Sequence, residues 1–176
     1  MITKINISNI ILDHLGTLKN DQGTAYLKAD IALFYFVPLI LASYLAIGVD
    51  IDIGKFSTTL SAIFSIFAAL LFNLLLLIYT IFDKKNEKIK NDVDYDRKEK
   101  IRINLIKEIY SNISYSIFIS LICLIFVVLS NNVSGYTEKT FSFYTYFFSI
   151  NFFLTLLMVL KRIHVLLSDE FANHSS

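Results

Sequence analysis

One cysteine, one proline, five glycines and only 18% charged residues are spread over 176 positions, and each scarcity excludes something. A single cysteine cannot form an intrachain disulfide, so the chain is no disulfide-held scaffold. Little proline and glycine beside 16 Phe and 10 Tyr excludes intrinsic disorder, and that aromatic load is foreign to a coiled coil. Soluble domains carry roughly 25% charged residues. Here 55% of residues are hydrophobic and the mean hydropathy is +0.59, which is more apolar surface than one core of this size can hide. The net charge of +1 averages over a strong asymmetry along the chain and carries no nucleic-acid signature.

Reactive chemistry is missing as well. The sequence contains no G-x-S-x-G, H-E-x-x-H or glycine-rich phosphate loop. His14, His164 and His174 are scattered, and none stands at metal-ligand spacing from Cys123. His14 and His164 read as interfacial helix residues. Asp92, Asp94 and Asp96 alternate as in a cation loop but lack its glycine and distal glutamate, so they read as a solvated acidic run. The expectation is a non-enzymatic protein with no cofactor, no metal site and no nucleic-acid partner.

Long apolar runs are what the chain has in abundance. Residues 31–49, 56–82, 113–129 and 141–160 contain no charge and are bounded by charged residues: Asp30 and Asp50, Lys55 and Asp83, Glu108, then Lys139 and Lys161. A hydrocarbon core about 30 Å thick takes roughly 20 helical residues. Continuous apolar runs argue against an alternating-strand barrel, and a helix satisfies its own backbone groups in lipid. The fold class expected is all-α: a polytopic membrane protein with four transmembrane helices as two antiparallel hairpins, plus short amphipathic cytoplasmic helices. The first run lies behind a mixed polar leader, so it reads as a span rather than a cleavable signal.

Basic residues give the orientation. Fourteen of the sixteen Lys and Arg fall in the leader 1–30, the linker 83–112 and the tail 161–176; only Lys55 and Lys139 lie in the other two connections. The positive-inside rule therefore places both termini and the linker in the cytoplasm, with Lys84, Lys85, Lys161 and Arg162 as basic anchors of the inner helix ends. Gly48 and Gly54 bracket the first outer turn, and Gly135 belongs to the second. Tyr136, Phe141, Phe143, Tyr144 and Tyr146 form an aromatic belt at the outer level.

Three pieces lie inside. Residues 8–19 place Ile11, Leu15 and Leu18 on one helical face, with Ser8 as N-cap and Asn20-Asp21-Gln22-Gly23 as a turn. Residues 83–100 mix both signs and read as a solvated turn. Over 97–112 a helical period returns, with Ile101, Leu105 and Ile109 opposite Lys100, Asn104, Lys107 and Ser111, an inward stalk of the third span. After Arg162, Ile163, Leu166 and Leu167 support one or two more turns before a frayed tail.

Within lipid, helices associate through close packing and hydrogen bonds. Ser57, Ser61, Ser65, Ala69 and Asn73 recur every four residues, a ridge of small side chains that another backbone can approach, in this chain or in a second copy. Asn73 can add a cross-helix hydrogen bond of about 1 kcal/mol. Ser116 with Ser120, and Thr145 with Ser149, are shorter versions. Any one hydroxyl can instead bond back to its own helix. Asn151 reads as a helix–helix hydrogen bond. Pro38 frees the carbonyl of Phe34 and kinks the first span, as a static bend or a hinge. An ionised side chain within a span is the usual mark of ion-coupled transport, and none of the four has one.

The residues around Asn9–Pro38 (NIILDHLGTLKNDQGTAYLKADIALFYFVPLI, 9–40) resemble the opening of small four-helix membrane proteins encoded in bacterial phage-defence and mobile-element regions. The shared pattern is an amphipathic leader, a turn, a charged boundary and a proline-bearing span. The resemblance implies a membrane effector or sensor subunit that works with a cytoplasmic protein partner and disturbs the bilayer when triggered. The ridge on the second span fits a homo-oligomer, and the Ile-, Asn- and Lys-rich composition fits a bacterial inner membrane. Competing classes are an immunity protein against a pore-forming bacteriocin, a small transporter or channel, and an anchoring subunit.

Overall fold

The computed structural model describes residues 7–19, 28–49, 53–85 and 93–174, with side chains for all but 28, 81–85, 93–99 and 169–174. Every regular element among the described residues is helical. α1 covers Ser8–Gly16. The first span is one rod built of α2 (Lys28–Ile31), a π-helical segment (Ala32–Phe36), α3 (Val37–Ser43) and a second π-helical segment (Tyr44–Val49). A 3₁₀ turn (Ile53–Phe56) leads into α4 (Ser57–Lys85), followed by α5 (Val93–Ser130) and α6 (Tyr136–His174).

Four helices are long and apolar enough to cross a membrane, Ala29–Val49, Ile53–Thr80, Lys100–Ser130 and Tyr136–Ser168, and each falls on one of the charge-free runs. This is the fold of a multi-pass membrane protein. Local details depart from expectation. Ser8 is the first helical residue of α1 rather than its cap, since the cap position belongs to Ile7 and carries no side-chain bond. α5 is continuous from Val93, so the second half of the charged linker is already helix. Along the stalk Ile106 and Ile109 are buried, whereas Ile101 is exposed. α6 continues to His174, about three turns past Arg162. The turn at residues 20–23, Asp50 and Asp92 lie outside the described residues, as do the side chains of Lys84, Lys85, Asp94, Asp96 and His174.

Pro38 lies in the first turn of α3, where its ring opposes the carbonyl of Phe34. The wide π turn just before it gives the ring room. The second π segment has no comparable cause in the sequence. At the far end of α5, Asn132 Nδ2 donates to the carbonyl of Val128 (2.7 Å), and Gly135 takes a left-handed φ of 72° immediately before α6. A side chain there would be strained, so glycine makes this connection short.

α5 is the centre of the bundle. It packs against α4 on one side and α6 on the other, and α1 lies across it. Among the described residues the first span packs on α6 rather than along α4, so side-by-side pairing of the first two spans is not seen there. Phe64, Leu71 and Ile78 of α4, Ile109, Ile113, Ile119 and Val127 of α5, and Phe152 and Val159 of α6 form the apolar core. Phe64 and Phe67 meet Phe152 edge-on with centroids 5.4 and 5.7 Å apart.

Candidate functional site

The α5–α6 contact follows a seam with alternating steps of three and four residues. One buried stripe of α5 is Ile109, Ile113, Ser116, Ser120, Cys123, Val127 and Ser130, flanked by buried Ile106, Asn112, Tyr115 and Ile119; on α6 Ser142, Thr145, Asn151, Phe152, Thr155 and Val159 are buried. Such a period gives a shallow left-handed crossing, and small side chains let the backbones approach. Most hydroxyls bond within their own helix: Ser120 to Ile117 O (2.7 Å), Thr145 to Phe141 O (2.9 Å), Ser149 to Thr145 O (2.6 Å) and Thr155 to Asn151 O (2.9 Å). They supply mainly small size, and Ser149 adds a side-chain hydrogen bond across the contact to Cys123. The sequence signalled two fragments of this seam, but its buried length emerges only when α5 and α6 are seen together.

The ridge on α4 is placed differently. Ser57 and Ser61 are half-buried, whereas Ser65, Ala69 and Asn73 are exposed on the single chain, because α4 turns Phe64, Leu71 and Ile78 into the core it shares with α5 and α6. Among the described residues no hydrogen bond reaches the Asn73 amide. It sits inside a membrane-length apolar helix with a donor and an acceptor to satisfy.

One end of the bundle holds a polar network that ties four elements together. Asn151 on α6 lies at its inner limit. Its Nδ2 donates to the carbonyl of Phe34 (2.9 Å), the carbonyl whose α-helical donor position is taken by Pro38, and its Oδ1 accepts from the Tyr115 hydroxyl of α5 (3.1 Å). The proline therefore has a compensating amide on a neighbouring helix, which ties this segment of the span to α6. The Tyr115 ring stacks flat on His14 of α1, with centroids 3.7 Å apart and an interplanar angle of 4°, while Phe34 meets the same imidazole edge-on at 6.0 Å.

His14 is only 1% exposed, so it is an internal residue rather than an interfacial one. Its Nδ1 lies 2.8 Å from Asn112 Oδ1, and because that oxygen only accepts, the neutral ring carries its proton on Nδ1. Burial lowers the His14 pKa from 6.5 to about 4, and the nearby Arg162 charge pushes the same way against the Asn112 bond. Thr17 has one hydroxyl proton for two acceptors, His14 O (2.7 Å) and Asn112 Oδ1 (3.0 Å). Arg162 Nη2 donates to Thr17 O (2.9 Å) and pairs with Glu108 Oε2 (3.3 Å). Its side chain is 15% exposed, so Arg162 is an internal tie more than a headgroup anchor, whereas Lys161 is exposed. The guanidinium also meets the C-terminal end of α1, where free carbonyls favour a cation.

The face of α1 that packs inward carries His14 and Leu18, with Ile10 and Leu15 half-buried; Ile11, expected on it, is exposed. Sequence reasoning discounted His14 because a lone histidine near a membrane reads as a wet residue. The available signal was its spacing, four residues before Leu18 and in line with Ile10. Asn112 Nδ2, Ser116 Oγ and Arg162 Nη1 are buried polar atoms with no hydrogen-bond partner among the described residues, and no group of metal-ligating side chains is found among those residues. No family model, no curated protein and no solved structure matches the chain.

Proposed function

We propose that the chain is a non-enzymatic, multi-pass subunit of the bacterial inner membrane with both termini in the cytoplasm. In this reading it acts as an effector or sensor of the phage-defence type, assembling with copies of itself and disturbing the bilayer when triggered. The observation that carries the proposal is the unsatisfied Asn73 amide, exposed with Ser65 and Ala69 on α4 inside an apolar helix. In hydrocarbon a second protein surface would satisfy both the donor and the acceptor of that amide, and flanking small residues favour close approach. The charged linker and α1 would offer a cytoplasmic partner its docking surface.

The test is to overproduce the full chain in bacteria and follow membrane potential with a voltage-sensitive dye. Depolarisation that falls several-fold in Asn73→Leu and Ser65→Leu, with equal membrane levels of protein, supports the proposal; a loss of about 1 kcal/mol per contact corresponds to such a factor. An unchanged potential together with protection against one pore-forming toxin would replace this reading with an immunity protein. Solute flux in liposomes that ignores both substitutions would replace it with a transporter.

A further inference from the structure

We propose that α1 is a latch on the end of the bundle, held by neutral His14 and released when His14 takes up a proton. The geometry concentrates the attachment of α1 on one side chain. The imidazole is clasped between Tyr115 and Phe34 and bonded to Asn112, so it touches both α5 and the first span. Around it the bonds of Thr17 to Asn112 and Arg162 complete the contact, and Leu18, 1% exposed, closes it.

Among the described residues a proton on this ring finds no free counter-charge. α5 presents Glu108, Asn112 and Tyr115, α6 presents Arg162, and the first span presents Phe34. The only charged groups among these, Arg162 and Glu108, already pair with each other at 3.3 Å, and Asp30 of α2 also acts on Arg162. On α1 itself Asp13 is exposed to solvent. Protonation would therefore put a second cation beside Arg162 in a site closed to water.

The sign follows from the two forms of His14. Docked, the ring resists a proton until about pH 4; undocked, it titrates near 6.5. Between these values the undocked form binds a proton that the docked form refuses. Docking is complete above the interval and is lost as pH falls through it. Because Tyr115 both stacks on His14 and donates to Asn151, release also loosens the support of the Phe34 carbonyl beside Pro38.

The experiment is hydrogen–deuterium exchange of amides 8–18 in the full chain, held in nanodiscs of phosphatidylethanolamine and phosphatidylglycerol. Rates are taken at about pH 7.5 and about pH 5, either side of the ordinary histidine range, and corrected for the intrinsic pH dependence of exchange. The wild-type chain should lose protection in α1 by roughly tenfold or more at the lower pH, the factor that one pKa unit supplies. His14→Gln keeps a neutral hydrogen-bonding amide and should be equally protected at both values. Asn112→Asp sets a carboxylate against the ring and should keep α1 protected at the lower pH. Equal wild-type protection at both values, or equal loss in a docked His14→Gln, overturns the latch. Should His14→Gln be undocked throughout, Asn112→Asp decides: retained protection at the lower pH supports the proposal and loss overturns it. The readout is the backbone of α1, so the result stands apart from whether the chain depolarises cells.

Discussion

Asn151 answers a need that Pro38 creates three helices away in sequence. Its amide takes up the Phe34 carbonyl, and the same side chain accepts from Tyr115. Asn151→Leu leaves both groups buried and unpaired, and should destabilise the fold by about 1–3 kcal/mol in a reversible unfolding titration in detergent. Pro38→Ala returns an N–H to the helix and gives the Phe34 carbonyl a local partner. In that background the Asn151→Leu cost should shrink by about 0.6–1.7 kcal/mol, the range of interhelical hydrogen bonds in membranes. A double-mutant cycle with no coupling would mean that the amide is not compensating the proline. The sequence announced one half of this pair, since a proline always strips a carbonyl. It could not say which of several polar side chains would answer.

At the scale of elements, legibility followed charge. A helix interior free of Lys, Arg, Asp and Glu is conspicuous in any sequence, and all four spans were readable for that reason. Packing partners were not, because lipid-facing and helix-facing sides are equally apolar. The α5–α6 seam shows the difference. Ser116 with Ser120, and Thr145 with Ser149, are visible as spaced pairs, but Ser130, Ser142 and Thr155 join them only through the three-and-four rhythm of two long helices in contact. Ser120→Leu inserts bulk at a fully buried position and should cost about 1–3 kcal/mol by the same unfolding assay. Ser111→Leu, on the half-buried side of the same helix, should cost less. α1 illustrates the opposite error: Ile11 carries the apolar signal yet is exposed, while the polar His14 is enclosed. Hydropathy ranks side chains by their cost in lipid and ignores a histidine whose ring is flanked by aromatics and whose nitrogen has a partner.

For the whole molecule, the neighbour relation between the first span and α6 has a consequence for how the chain is made. A ribosome delivers the N-terminal rod to the bilayer long before α6 exists, so the rod must wait beside α4 and α5 for the surface it finally packs against. The two ends of the polypeptide are thus knitted last, with Asn151 and Arg162 arriving to meet Phe34 and Thr17. A chain stopped before Tyr136 should therefore insert and still set α1 on α5, yet lack the Arg162 tie to Thr17 and the surface for its first span, and protease added from the side bearing the N-terminus should trim α1 faster than in the full-length molecule. Nascent copies in this interval present an unclaimed apolar flank, and quality-control proteases of the membrane would meet the protein at that moment.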